Sequence, residues 1–280
     1  MKTKNTKGFT LIELLVVISI IGLLSSILLV AVTSQREKAR LAGARSFAAQ
    51  VQRVAGDQGV AYWDFDDCSG STVKDGSGFG FNGSFIGSAG WSTDSPNPSG
   101  CSLSEDGTNY VNIPSNDTLN IRTGSATRTL WFKTSQNPIG NLFRISDGVN
   151  VGGMIITGRG VSNNLSCYID TAGSVEAEAK IAKSYSDGNW HFVACVLDRS
   201  ANTLNLYVDG HLANSVSASA FIGVDMNSTT YHGIGGWSGG VGYVGLIDGV
   251  HLYSKNLTAF QIQNLYLAEG GKLPNFAVNK

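Results

Sequence analysis

The chain has 280 residues, 42% hydrophobic and 15% charged, with 35 glycines, 5 prolines and a formal net charge of -1. Its apolar fraction excludes a disordered chain and the absence of a triplet glycine period excludes collagen, while surplus glycine with few charges favours strands joined by tight turns. The near-zero charge hides an asymmetry: the residues before Gly56 are basic in excess, whereas those from Gly56 onward hold 12 Lys and Arg against 19 Asp and Glu. The larger part therefore lacks the clustered cations that phosphate binding needs, and no nucleic-acid partner is expected.

Lys2, Lys4 and Lys7 precede a run from Phe9 to Val32 in which Glu13 is the only charge. At ~1.5 Å per residue these 24 residues form a helix of about 36 Å, enough to cross a bilayer. A secretory signal would have a shorter apolar run, about 7–15 residues, and a small-x-small cleavage site after it. Instead Leu41, Ala44, Ala48, Val51 and Ala55 continue a helical period, so one helix is expected over residues 9–55. Basic residues on both sides leave the orientation of a plain signal anchor open. Glu13 is a functional candidate, because a carboxylate in an apolar span needs a partner. Gly22 and Ser26, four apart, would let helices approach closely, although ordinary helix composition yields such pairs too.

The string Lys7-Gly8-Phe9-Thr10-Leu11-Ile12-Glu13 with the apolar helix after it resembles the prepilin signature of type IV pilins and type II secretion pseudopilins. The resemblance implies cleavage by prepilin peptidase between Gly8 and Phe9, N-methylation of Phe9, and pairing of Glu13 with the terminal amine of a neighbouring pilin subunit during assembly. Residues 1–8 are then a leader, 9–55 the spanning and assembly helix, and 56–280 a head. The precursor would sit in the inner membrane with its head outside the cytoplasm, and the mature protein in a pilus or pseudopilus at the cell surface.

From Gly56 the helical period stops. Short β-branched and aromatic runs follow between Gly, Asn, Asp and Ser clusters: YVNIP, TRTLWFKT, GMIITG, LSCYID, WHFVACVLD, TLNLYVDG, HLANSV, YHGIGG and VGYVGLIDGVHLYS. Turn signals every eight to fifteen residues or so predict an all-β sandwich or jelly roll with one core. In the sixth run Leu204, Leu206 and Val208 share a face, and Asp209-Gly210 predicts a two-residue hairpin turn. A short helix is expected from Leu257, with Phe260, Leu265 and Tyr266 on its apolar face. The fold class is α+β, a long helix followed by an antiparallel β sandwich.

The head resembles a laminin-G-like domain of the concanavalin A-like lectins and glucanases. The residues that carry this are Val60-Ala61-Tyr62-Trp63-Asp64-Phe65-Asp66-Asp67, Lys74-Asp75-Gly76-Ser77-Gly78 with Asn82-Gly83, Trp190-His191-Phe192-Val193-Ala194, Leu206-Tyr207-Val208-Asp209-Gly210 and Gly245-Leu246-Ile247-Asp248-Gly249-Val250. The resemblance implies two curved antiparallel sheets whose first and last strands meet near one edge. It also implies a structural calcium, with Asp75, Asn82 and Asp248 as ligands and Asp66 or Asp67 in reserve. Hard oxygen ligands suit that ion, although Asp before Gly is also common turn chemistry.

Cys68, Cys101, Cys167 and Cys195 all follow the helix, and four cysteines in an oxidising compartment allow three pairings. The favoured one joins Cys68 to Cys101 and Cys167 to Cys195; the last two, in strands, are also readable as buried thiols. No C-x-x-C spacing points to zinc.

Gly236-Trp237-Ser238-Gly239-Gly240 matches G-x-S-x-G without the strand-turn-helix context of a nucleophile elbow. Glu176 and Glu178 share a strand face, but the glucanase pattern they resemble, E-x-D-x-E, has a third acid. Solvated acids on an exposed strand are the simpler account, and no enzymatic activity is expected. Trp131 and Trp190 are assigned to the core, which leaves Trp237 and Tyr243, flanked by glycines, as the exposed aromatic pair for a sugar. These readings describe a pilin-like subunit whose lectin-like head meets a glycan or a surface protein. The alternatives are a pseudopilin of a secretion or DNA-uptake machine and a membrane-tethered glycosidase.

Overall fold

The computed structural model describes residues 11–22, 59–88, 90–97, 100–137, 139–146, 153–159, 164–170, 176–228, 231–236 and 242–271. The chain separates into two compact units, residues 1–44 and 45–280. In the first, α1 (residues 11–22) is helical and exposed on every side, with Leu11 at 79% and Ile12 at 75% exposure. A helix apolar all round is at home only in a bilayer or a bundle. Glu13 lies on α1; Gly8, Phe9 and the expected continuation of the helix through residue 55 lie outside the described residues. Among the described residues no helix is long and apolar enough to cross a membrane.

The second unit is a two-sheet sandwich. In chain order its strands are β1 (Gly59–Trp63), β2 (Thr72–Val73), β3 (Gly83–Ile86), β4 (Trp91–Ser92), β5 (Ser102–Asp106), β6 (Tyr110–Ile113), β7 (Ala126–Lys133), β8 (Gly140–Ser146), β9 (Met154–Arg159), β10 (Asn164–Asp170), β11 (Glu176–Ile181), β12 (Trp190–Asp198), β13 (Thr203–Val208), β14 (His211–Ser217), β15 (Tyr231–Ile234) and β16 (Val244–Tyr253), followed by α2 (Ala259–Ala268). One sheet runs β14-β13-β12-β7-β16-β5-β4 and the other β11-β10-β9-β8-β15-β6-β3-β2. β16 is long enough to pair with β5 over residues 244–247 and with β1 over residues 250–253, so the domain's opening and closing strands meet. Asp209 and Gly210 have φ of 49° and 78° and join Val208 to His211, the two-residue hairpin turn read from the sequence.

The main core lies between the sheets, where alternation sends Leu204, Leu206 and Val208 inward with Phe132, Phe143 and Ile156. The Cys167–Cys195 disulfide joins β10 to β12 across this core, with both residues fully buried and their Cα atoms 5.6 Å apart. Cys68–Cys101, with Cα atoms 5.4 Å apart, ties an exposed loop to the start of β5.

β7 and much of β12 are buried on both faces, because α2 covers the outer side of the first sheet. Trp131, Phe192, Val196 and Tyr253 pack there against Leu257, Ile262 and Leu265. Thr258 caps α2 with a reciprocal box: its Oγ1 accepts from the Gln261 N–H at 3.3 Å, and Gln261 Oε1 accepts from the Thr258 N–H at 2.8 Å. The expected apolar face needs correction. Phe260 is 64% exposed, and Ile262 and Leu267 are buried beside Leu265, because residues 260 and 265 lie about 140° apart around a helix and 262 and 265 only about 60°; Leu265 and Tyr266 do pack on the sheet.

Candidate ligand and metal sites

The outer face of the second sheet carries a polar row. Register sets Ser84 beside Asn112, Asn112 beside Gly233, and Gly233 beside Arg144. The row continues through Ile155, Tyr168 and Glu178. Residues in register point to the same side, and this side is opposite Phe143, Ile156 and Cys167, which face the core. Tyr168 lies at the centre of the charged end, its hydroxyl 2.8 Å from Glu176 Oε1 and 3.0 Å from Asp170 Oδ2. Burial, then the two carboxylates, push the phenol up, so it donates one hydrogen between two acceptors. Burial also raises the Asp170 carboxyl against the pull of Tyr168 and Arg144. Glu178 pairs with Lys180 at 3.3 Å. A donor, an aromatic ring and carboxylates on one rigid sheet face suit hydroxyl-rich ligands, which need both hydrogen-bond partners and a surface to stack on.

A second site is an acidic cleft of about 410 Å³, lined by Asp64, Asp66, Trp131, Asp248 and Glu269 among others. It exists because of a bulge. Gly249, at φ 53°, lies where the β16–β7 register shifts, so Ile247 and Val250 both turn into the core. Asp248 and His251 are thereby aimed outward together. His251 is buried beneath the cleft, its Nε2 2.5 Å from Asp64 Oδ1 and its Nδ1 3.3 Å from Glu269 Oε1. Burial opposes its charge, but these two carboxylates outweigh burial and hold it well above the ordinary histidine range. Trp131 Nε1 donates to Glu269 Oε2 at 2.9 Å. Asp248 accepts from Ser95 Oγ at 2.6 Å and from the Gly249 N–H at 2.8 Å. Burial, reinforced by the charges of Asp64 and Asp66, still lifts it to about 7.

The expected calcium ligands are not one set. Asp75 is saturated: Oδ1 accepts from the Tyr62 and Ser77 N–H groups, and Oδ2 from Ser77 Oγ and the Phe81 N–H. Burial would raise this carboxyl, but those donors outweigh it and hold it below its ordinary range. Asn82 Oδ1 accepts from the Asp75 N–H at 2.9 Å, so this pair staples a loop. Asp67 pairs with Lys74 at 2.7 Å. Asp66 and Asp248 do line one cleft, but among the described residues no three acidic, His or Cys side chains converge closely enough to hold a metal by themselves.

The proposed sugar-facing pair also needs correction. Tyr243 is fully buried, its hydroxyl donating to the Lys133 and Leu246 carbonyls at 2.8 and 3.2 Å, because it packs inward where the chain enters β16. Trp237 and most of the G-x-S-x-G string lie outside the described residues. Glu176 and Glu178 do share a face. His251 and Glu269 were not singled out from the sequence, since the period-two reading of β16 gives no warning of the bulge.

The family profile described as the concanavalin A-like lectin/glucanases superfamily matches residues 105–263. A profile described as the prokaryotic N-terminal methylation motif matches residues 3–29. No curated protein matches the chain. Among solved structures, domain 4 of AbnA, a GH43 extracellular arabinanase from Geobacillus stearothermophilus in complex with arabinotriose, is 18% identical over 75% of this chain and 98% of its own, with a TM-score of 0.60. Botulinum neurotoxin type C, whose cell entry depends upon interaction with two ganglioside molecules, is 15% identical over 76% of this chain and 52% of its own, at 0.59. The binding domain of Paraclostridial Mosquitocidal Protein 1 is 14% identical over 75% and 52%, at 0.57. The chain spans about half the length of these last two, and at such identities the likeness is one of fold.

Proposed function

The chain belongs to the concanavalin A-like lectin/glucanases superfamily, and on that footing we propose that it is a type IV pilin-like subunit displaying a glycan-binding head for surface adhesion. One observation carries this: the methylation motif at residues 3–29 and the lectin-like domain at 105–263 occupy the same chain. The motif supports prepilin processing at the membrane and assembly with other pilin subunits, and the exposed apolar α1 supplies a surface for such packing. Gly8→Ala is expected to leave the leader uncleaved, and Glu13→Gln to be cleaved but absent from filaments. Mass spectrometry of the amino terminus and immunoblots of sheared filaments check both. Normal incorporation of the Glu13 variant would remove its assembly role. Filaments confined to a secretion assembly would favour the pseudopilin reading.

We place the ligand on the Asn112–Arg144–Tyr168–Glu178 row because its donors, ring and carboxylates suit a hydroxyl-rich ligand; that the ligand is a glycan is in keeping with fold relatives described in complex with arabinotriose and as interacting with gangliosides. On a glycan array Arg144→Gln is expected to weaken binding by the full chain about tenfold or more, as loss of a buried hydrogen bond to a charge would. Equal binding by both proteins removes the row from consideration. The proposed role is non-catalytic: Glu176 is held by Tyr168 and Glu178 by Lys180. Hydrolysis of a β-glucan that is lost in Glu178→Gln would overturn that. Calcium is proposed at Asp66 and Asp248, the cleft carboxylates that His251 does not neutralise. Calcium should then raise the unfolding midpoint over chelator by about 3 °C in the native chain and not in Asp248→Asn.

A further inference from the structure

The two disulfides differ in what a reductant can reach. Cys167 and Cys195 are fully buried, whereas Cys68 is exposed beside a Cys101 that is 4% exposed. Cys68 and Cys101 also pin together the two arms of the acidic cleft's rim. Asp64 and Asp66 lie just before Cys68, Pro96 and Asn97 just before Cys101, and all four line the cleft with Asp248. The arms meet at Asp66. A Cβ on Gly100 would stand 2.5 Å from Asp66 Oδ1, so this carboxyl lies against the backbone next to Cys101, and it accepts from the Cys101 N–H. The second arm is held to the sheet in its own right. Ser95 Oγ donates to Asp248 and Ser102 Oγ to the Asp94 carbonyl, each at 2.6 Å, and Lys133 and Trp190 both donate to the Asp94 carboxylate. The first arm instead turns through left-handed residues at Phe65 and Cys68, with φ of 56° and 55°, a conformation that non-glycine residues keep only where their surroundings hold it.

A disulfide opens when a thiolate attacks a sulfur it can reach, and exposed bridges are the labile ones. A small dithiol attacks Cys68 Sγ; the S–S bond breaks, and Cys101 leaves as a thiolate that takes up a proton. The second thiol then displaces Cys68 from the mixed disulfide. Two electrons and two protons have passed to the cysteines, and the dithiol departs as a cyclic disulfide. The core bridge offers no such approach. Asp66 and Asp248 repel each other when both are ionised, and the bridge holds their two segments together. We propose that Cys68–Cys101 is a reducible latch on the acidic cleft, and that a dithiol which opens it frees Asp66 from the rim and weakens the cleft's hold on a divalent cation. The last clause rests on the proposed calcium at Asp66 and Asp248; release of the rim does not.

In the test, the full chain in detergent is treated with graded dithiothreitol, alkylated with iodoacetamide without denaturant and mapped by peptide mass spectrometry. Cys68 and Cys101 are expected to open at concentrations about tenfold or more below those that open Cys167–Cys195. Hydrogen exchange over residues 64–68 and 94–97 should then quicken about tenfold or more, while β10 and β12 stay protected. Opening of both bridges together, or unchanged exchange at the rim after selective reduction, would overturn the latch. Cys68→Ser combined with Cys101→Ser keeps the core bridge and must show the fast exchange without dithiothreitol; slow exchange there counts against the latch as well. Calorimetric titration with calcium chloride separates the two readings. Binding about tenfold weaker after reduction and alkylation supports the gate, and equal affinity in the two redox states overturns it. No binding to the oxidised chain would remove the calcium reading and the gate with it, while exchange at the rim still decides the latch.

Discussion

Replacing Cys167 and Cys195 together by alanine is expected to lower stability by about 4.5–5 kcal/mol, read from urea unfolding of the full chain. The disulfide closes a loop with a sequence separation of 28, and the chain-entropy relation assigns a loop of that length roughly 3.6 kcal/mol. Cys68–Cys101 closes one of similar separation, 33, so entropy alone predicts nearly equal costs. The two differ in surroundings. Cys167 and Cys195 are fully buried between the sheets among Ile156, Leu206 and other core side chains, and two truncations there also remove packing. The core pair should therefore cost at least about 1 kcal/mol more than the loop pair. Equal losses in the two double variants would show that the bridge acts on the unfolded chain alone.

Glu105→Gln is expected to do the reverse and raise stability. Glu105 is 3% exposed, and neither carboxyl oxygen has a hydrogen-bond partner. Burial, with a smaller push from Asp106, lifts its pKa from 4.5 to about 8. Gly235 makes the room: a Cβ there would stand 2.7 Å from Glu105 Cδ. Because the folded pKa lies above the unfolded one, folding favours the protonated acid. Its contribution is complete below about pH 4.5, declines as pH rises, and is lost above about pH 8. A glutamine of the same shape does not ionise. The gain should be about 3 kcal/mol at pH 7, at roughly 1.4 kcal/mol per pH unit above the unfolded pKa, and nil at pH 4. Denaturant unfolding at the two pH values checks this, and a gain independent of pH would sink it.

Much of the fold was legible. The strands from YVNIP to HLYS lie where alternation and turn chemistry put them, since a half-buried strand records its environment in its side-chain period. β2 and β4 have two residues each, too few to show any period. β8, GNLFRIS, breaks its alternation at a register shift between Asn141 and Phe143. The sites were harder to read. Asp248 was found for its neighbour Gly249, but as turn chemistry or a calcium ligand and not as one side of a bulge. Tyr243 was placed outside because glycines flank it, yet those glycines let backbone pack closely: a Cβ at Gly242 would stand 2.3 Å from the Gly107 carbonyl oxygen. The buried Arg128 did leave a trace, because period two sets it on one face with Leu130 and Phe132. A cation in such company is legible as buried, but the Tyr253 carbonyl that accepts from it lies 125 residues along the chain, where no local pattern reaches.

The position of β16 has a consequence for the order of folding. This strand lies in the interior of the first sheet, flanked by β7 on one side and by β5 and β1 on the other, yet it is the last of the described strands to be synthesised. Until it emerges, β7 and β5 each hold an open row of backbone donors and acceptors, and β1 has no partner within its own sheet. The pairing of Trp63 with Val250 spans nearly the whole domain, a separation that slows folding because a large loop must close first. Emergence of β16 is thus the step that completes the sandwich, and exposed strand edges are an aggregation hazard until then.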